Sequence, residues 1–127
     1  MADRARRKRR RLSRSGDFER VYREGRSYAN RYLVVYAFPR SDGDGEPRLG
    51  VSVGRKLGGA VERNRMKRLL REAFWEHADA LAEGHDFVIV ARPAAGDLAR
   101  EGGERAIEQA LGAVFTEAGF TGGGKPE

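Results

Sequence analysis

Cysteine is missing from the whole chain. Its absence rules out a disulfide framework, a thiolate metal site and a cysteine nucleophile, and it fits a reducing compartment. Long apolar runs are missing too, and no stretch approaches the roughly 20 residues that span a bilayer. The N-terminus is basic, but charged and polar residues follow where a secretory signal needs its apolar stretch. A soluble, cytoplasmic protein without a membrane partner is expected. Histidine is scarce, with only His77 and His85, and neither has an evident catalytic partner. No Gly-x-Ser-x-Gly elbow, His-Glu-x-x-His pair or GxxxxGK[ST] loop occurs. We therefore expect no catalytic side chain, no organic cofactor and no small-molecule substrate, and no residue is singled out as a metal ligand.

What is present is positive charge, unevenly placed. The 127 residues carry 25 bases and 19 acids, a net charge of +6. Residues 1–15, MADRARRKRRRLSRS, hold eight cations and one acid. Residues 55–71, RKLGGAVERNRMKRLLR, hold seven cations and one acid, Glu62. The remainder has 25 − 15 = 10 bases and 19 − 2 = 17 acids, a balance of −7. A lone charge run is commonly a solvated face. Two runs on an acidic background point to a surface for a polyanion.

The length fits one domain with one modest core. Residues 1–12 read as a basic disordered arm, 13–119 as the domain and 120–127 as a flexible tail. Ser15 is placed to cap a short helix over 17–24, with Phe18, Val21 and Tyr22 on one face and Gly25 as its stop. RYLVVYAF (31–38) reads as a strand with Tyr32, Val34, Tyr36 and Phe38 on one face and Leu33, Val35 and Ala37 on the other. After the turn cluster SDGDGEP (41–47) comes a second alternating strand, RLGVSVG (48–54). The two are expected to form an antiparallel hairpin. A long helix follows over 60–82, then a buried strand DFVIVAR (86–92) stopped by Pro93. A last helix over 103–118 shows Ile107, Ala110, Leu111, Val114 and Phe115 on one face. The order predicts an α+β fold, one sheet with helices packed on it.

The helix over 60–82 carries the functional signal. At about 100° per residue, Met66, Leu69, Leu70 and Ala73 share one side, and Asn64, Lys67, Arg68 and Arg71 share the opposite side. Like charges at 63/67, 67/71, 65/68 and 68/71 cost roughly 0.2–0.5 kcal/mol each. Pairs Glu62–Arg65 and Arg68–Glu72 are expected to offset part of that. An isolated domain gains nothing from such a ridge, whereas a cation row can neutralise phosphates and release their counterions. The Gly-rich turn before it, GRKLGGA (54–60), is no nucleotide-binding loop, although its N–H groups favour an anion.

GRKLGGAVERNRMKRLLREAF (54–74) resembles the signature of the bacterial ribonuclease P protein subunit, a family with a basic "RNR" helix after a strand ending S-V-x-[KR]-K. DFxxVYxxG (Asp17 to Gly25), the strand YLVVYAF, the VIVAR strand and the last helix also match. The resemblance covers about residues 12–118. It implies a compact αβββαβα sandwich with a mixed four-stranded sheet, a left-handed βαβ crossover and a short extra strand near Ser27–Asn30. It implies that a large RNA with bound Mg²⁺ performs catalysis, cutting the 5′ leader from precursor tRNA, with the protein as accessory subunit. By the same resemblance Arg55, Lys56, Arg63, Asn64, Arg65, Lys67, Arg68 and Arg71 contact the ribonuclease P RNA. Phe18, Tyr22 and Tyr36 are implied to line a cleft for the single-stranded leader. Two other readings stand beside this one. A ribosomal or other structured-RNA-binding protein of similar fold would bind without enabling cleavage. A free-standing nuclease or phosphotransferase would need catalytic groups that the chain does not offer.

Overall fold

The computed structural model describes residues 10–12, 15–40, 47–78, 81 and 84–120. Most of the expected arm (1–9), the turn cluster at 41–46 and the tail at 121–127 lie outside the described residues, as does the side chain of Ser15. In chain order the elements are β1 (Arg10–Arg11), α1 (Ser15–Glu24), β2 (Arg26–Ala29), β3 (Leu33–Pro39), β4 (Arg48–Val53), a 3₁₀ turn (Arg55–Leu57), α2 (Ala60–His77), β5 (His85–Ala91) and α3 (Ala94–Ala118). The sheet order is β1-β4-β5-β3-β2. The four longer strands form the expected mixed sheet, and the short strand before β3 is present as β2. The two-residue β1 adds an edge parallel to β4, with Leu12 N–H donating to the Leu49 carbonyl at 3.0 Å. Residues 10–12 therefore leave the expected arm. Leu12, 5% exposed, gives them an apolar anchor.

The expected hairpin of β3 with β4 does not form. β5 lies between them, antiparallel to β3 and parallel to β4. The reason is visible in composition. Phe87, Val88 and Ile89 are all fully buried, so β5 needs cover on both faces and a partner on both edges. β4, α2 and β5 thus make a parallel βαβ unit.

Alternation along the strands sorts the side chains into two layers. Leu33, Val35 and Ala37 of β3, Leu49 of β4, and Phe87, Ile89 and Ala91 of β5 face α2 and α3 in the main core. There Phe74, Phe87 and Phe115 tie α2, β5 and α3 together, with ring centres 5.4 to 6.1 Å apart. Such pairs add about 0.5–1.5 kcal/mol each beyond burial. The opposite face packs Val88 against Val21 of α1 and Leu12.

Two helices differ from expectation. α2 ends at His77, short of the expected residue 82. α3 begins at Ala94, nine residues earlier than expected, because Ala95, Gly96 and Ala99 bury a small-residue face. Its break falls at Gly103, whose φ of 68° and ψ of −156° lie outside the helical region and suit only glycine.

Two polar anchors hold the frame. Asp86, 1% exposed, accepts from Arg48 Nε at 2.8 Å and Nη2 at 2.7 Å, and from Arg40 Nη1 at 3.1 Å. Arg48 also lies 3.9 Å from Asp17 of α1. Asn30 closes the β2–β3 turn. Its Oδ1 accepts from the N–H groups of Tyr32 and Leu33, both at 2.9 Å, and its Nδ2 donates to the Ala110 carbonyl at 3.1 Å. Three side-chain bonds at roughly 1 kcal/mol each make Asn30→Ala a loss of about 2 kcal/mol after partial rehydration. Urea unfolding is expected to show a lower midpoint at unchanged slope; an unmoved midpoint would mean that water replaces all three bonds.

Candidate nucleic-acid interface

α2 divides as its periodicity requires. Met66, Leu69, Leu70, Ala73 and Phe74 are at most 5% exposed and form its buried flank. Asn64, Arg65 and Arg68 are exposed on the other side, with Arg63, Lys67 and Arg71 half-buried at its margins. Arg55 and Lys56 sit exposed on the 3₁₀ turn leading into the helix.

The expected Glu62–Arg65 and Arg68–Glu72 pairs do not form. Glu62 Oε1 instead accepts from the Gly59 N–H at 3.0 Å, satisfying an N–H group at the start of α2. Arg63 Nε donates to the Gly58 carbonyl at 3.2 Å and braces the same turn. The one acid of the patch is thereby spent on the helix start, where the macrodipole favours it. Among the described residues no acid pairs with Arg55, Lys56, Arg65, Lys67, Arg68 or Arg71. Six cations close together, with no acidic partner among the described residues, carry an electrostatic cost that a bound anion would relieve.

Around the corner from this flank is the α1 face of the sheet. Register places three rows across it: Phe38, Asp86 and Arg48; then Tyr36, Val88 and Gly50; then Val34, Val90 and Ser52. α1 lies on the middle row. Phe18 rests on Gly50, where a Cβ would stand 2.5 Å from Phe18 Cζ, so only glycine lets the ring down onto the strand. Tyr22, 38% exposed, meets Tyr36 edge-on at 4.9 Å, and Phe18 is 6.5 Å from Tyr22. The three aromatic residues singled out in the sequence do come together. Val34, Val90 and Ser52 beside them are half-buried and open a floor that sequence reading missed. Phe38, covered by the Arg20 guanidinium at 5.8 Å, extends the aromatic row.

The two regions meet at a pocket of about 110 Å³ bordered by Arg11, Phe18, Gly50 and Arg71. Burial, and next the Arg11 guanidinium, push Arg71 below its ordinary value. A guanidinium nonetheless stays protonated at neutral pH. The histidines are engaged in ring packing, His77 with Phe115 at 5.7 Å and His85 with Phe87 at 5.9 Å. Among the described residues no group of three His, Asp or Glu side chains is placed to hold a metal ion, and no helix is long and apolar enough to cross a membrane.

Comparison with known proteins places the chain in a family. Residues 7–114 match the Ribonuclease P family model. The ribonuclease P protein component of Halalkalibacterium halodurans is 47% identical over 91 residues, covering 72% of this chain and 76% of that one. That of Bacillus pumilus is 40% identical over 101 residues, covering 80% and 84%. Among solved structures, the ribonuclease P protein of Staphylococcus aureus superposes with a TM-score of 0.77 at 36% identity, over 90% of this chain and 99% of that one. The Thermotoga maritima protein does so with a TM-score of 0.73 at 31% identity, over 83% and 94%. With a family match across most of its length, close relatives and a shared fold, the chain belongs to the family of ribonuclease P protein components.

Proposed function

We propose that the exposed flank of α2, with Arg55 and Lys56, grips the catalytic RNA of ribonuclease P, while the α1 face of the sheet holds the 5′ leader of precursor tRNA. The observation that carries this reading is a cation row with no acidic partner among the described residues beside an aromatic and apolar floor. Phosphates suit the first and unstacked bases the second, each base–aromatic stack contributing about 1–3 kcal/mol. Phe18, Tyr22 and Tyr36 are the stacking candidates, and Arg55, Lys56, Arg63, Asn64, Arg65, Lys67, Arg68 and Arg71 the phosphate contacts. No protein side chain is assigned a chemical step. On this reading Mg²⁺ is held mainly by the RNA.

Reconstitution tests the reading. The full chain, a bacterial ribonuclease P RNA and precursor tRNA are combined at low Mg²⁺. The chain is expected to raise 5′ cleavage and to do nothing without the RNA. Unchanged cleavage would favour a structured-RNA binder outside processing, and cleavage by the chain alone would favour a nuclease. In the same assembly Tyr36→Ala or Tyr22→Ala is expected to weaken precursor tRNA binding about tenfold, as for one lost stack, and to spare mature tRNA. Equal losses for both would remove these residues from a leader site.

A further inference from the structure

A groove of about 280 Å³ opens between the Arg55–Leu57 turn, the first half of α2 and the first segment of α3. Leu57, Met66 and Leu69 line it on one side and Gly96 and Ala99 on the other. Val61 stands at its mouth, 78% exposed and the most exposed large apolar side chain described. On a helix otherwise turned outward with cations, an exposed valine beside an apolar hollow serves neither the core nor a row of phosphate contacts.

Size and charge narrow the occupant. Sites for drug-sized molecules begin at about 300 Å³, so the hollow has room for one ring system. Its rim carries Arg65 and Arg100. Glu62, which also lines the groove, accepts from the Gly59 N–H, and Arg100 is paired with Asp97, which leaves Arg65 as the rim cation without an acidic partner among the described residues. Arg65 belongs to the rim and to the cation flank of α2 alike, so a strand whose phosphates follow Arg65 and Arg68 passes the mouth of the groove. We propose that this groove seats one unstacked nucleobase of the RNA gripped by α2. Unpaired bases are recognised by apolar surfaces and by guanidinium planes, and the groove supplies both. The proposal rests on the reading of α2 as the RNA-binding helix.

The test uses variants that remove no cation. Val61→Gln changes an exposed residue. Gly96→Ala narrows the groove with a methyl group at an ordinary 3.4 Å from Leu57, and alanine favours helix more than glycine does, so folding is preserved. Affinity of the full chain for an in vitro transcribed bacterial ribonuclease P RNA is measured across a salt series. Each variant is expected to bind about tenfold more weakly, with an unchanged slope of log affinity on log salt, because no phosphate contact is lost. Since the chain has no cysteine, Val61→Cys carries a single photo-crosslinker, expected to mark one unpaired nucleotide. Parental affinity in both variants, or crosslinks only to duplex or to another protein molecule, would overturn the proposal. If those variants are silent while Arg65→Ala with Arg68→Ala weakens binding, α2 still binds RNA and the groove alone is refuted. If the arginine pair is silent as well, both readings fall.

Discussion

Replacing Arg65 and Arg68 together by alanine is expected to lower the affinity for ribonuclease P RNA roughly a hundredfold at moderate salt. Both side chains are exposed on the outer flank of α2, and neither has an acidic partner among the described residues. Each charge-assisted contact is worth about 1.5–3 kcal/mol, and neighbouring contacts on one strand share some of that. The salt dependence is the sharper readout. Each neutralised phosphate adds close to 0.7–0.9 to the slope of log affinity on log salt, so the double variant should lie one to two units shallower. Stability should hold or rise slightly, since two members of a like-charge row are gone. A steep slope retained by the double variant would place the RNA elsewhere on the protein.

Asp86→Ala is expected to remove about 3 kcal/mol of stability, a large share of the roughly 5–15 kcal/mol that holds a domain together. Breaking a buried ion pair from one side costs about 3–5 kcal/mol. The lower end applies because Arg48 keeps Asp17 at 3.9 Å. The effect should reach binding too. Arg48 links the β5 carboxylate to α1, the helix that carries Phe18 and Tyr22, so precursor tRNA affinity should fall along with the urea midpoint. A loss below about 1 kcal/mol would mean that solvent reaches the guanidinium groups and that Asp86 is no keystone.

Much of this was legible in the residues, and the failures share one cause. The two flanks of α2 follow from local periodicity, so Met66, Leu69, Leu70 and Ala73 were separable from Asn64, Lys67, Arg68 and Arg71 without coordinates. Strand partners are a tertiary property. β3 and β4 alternate cleanly and are joined by a turn-rich stretch, which reads as a hairpin, yet the double-sided burial of Phe87, Val88 and Ile89 claims the place between them. The row of Val34, Val90 and Ser52 exists only once that order is known. The start of α3 was hidden by Gly102 and Gly103, which read as a boundary and are a break within a longer element. Asp86 did leave a trace, as an acid opening an otherwise apolar strand, but its partners Arg40 and Arg48 lie 46 and 38 positions away. The aromatic trio was found through family likeness. Ordinary core packing fitted Phe18 about as well, whereas the polar tips of Tyr22 and Tyr36 suited a cleft edge.

The place of β5 also bears on how the protein is made. The strand at the middle of the sheet is synthesised after both of its neighbours, with the whole of α2 in between. Until His85–Ala91 has emerged, β3 and β4 each lack a hydrogen-bonding partner on the side that will become the interior. Such open edges invite pairing with other chains, and long loop closures of this kind slow folding. β2 and β3 can pair as they emerge, but β4 can join them in one sheet only after β5 has been inserted between.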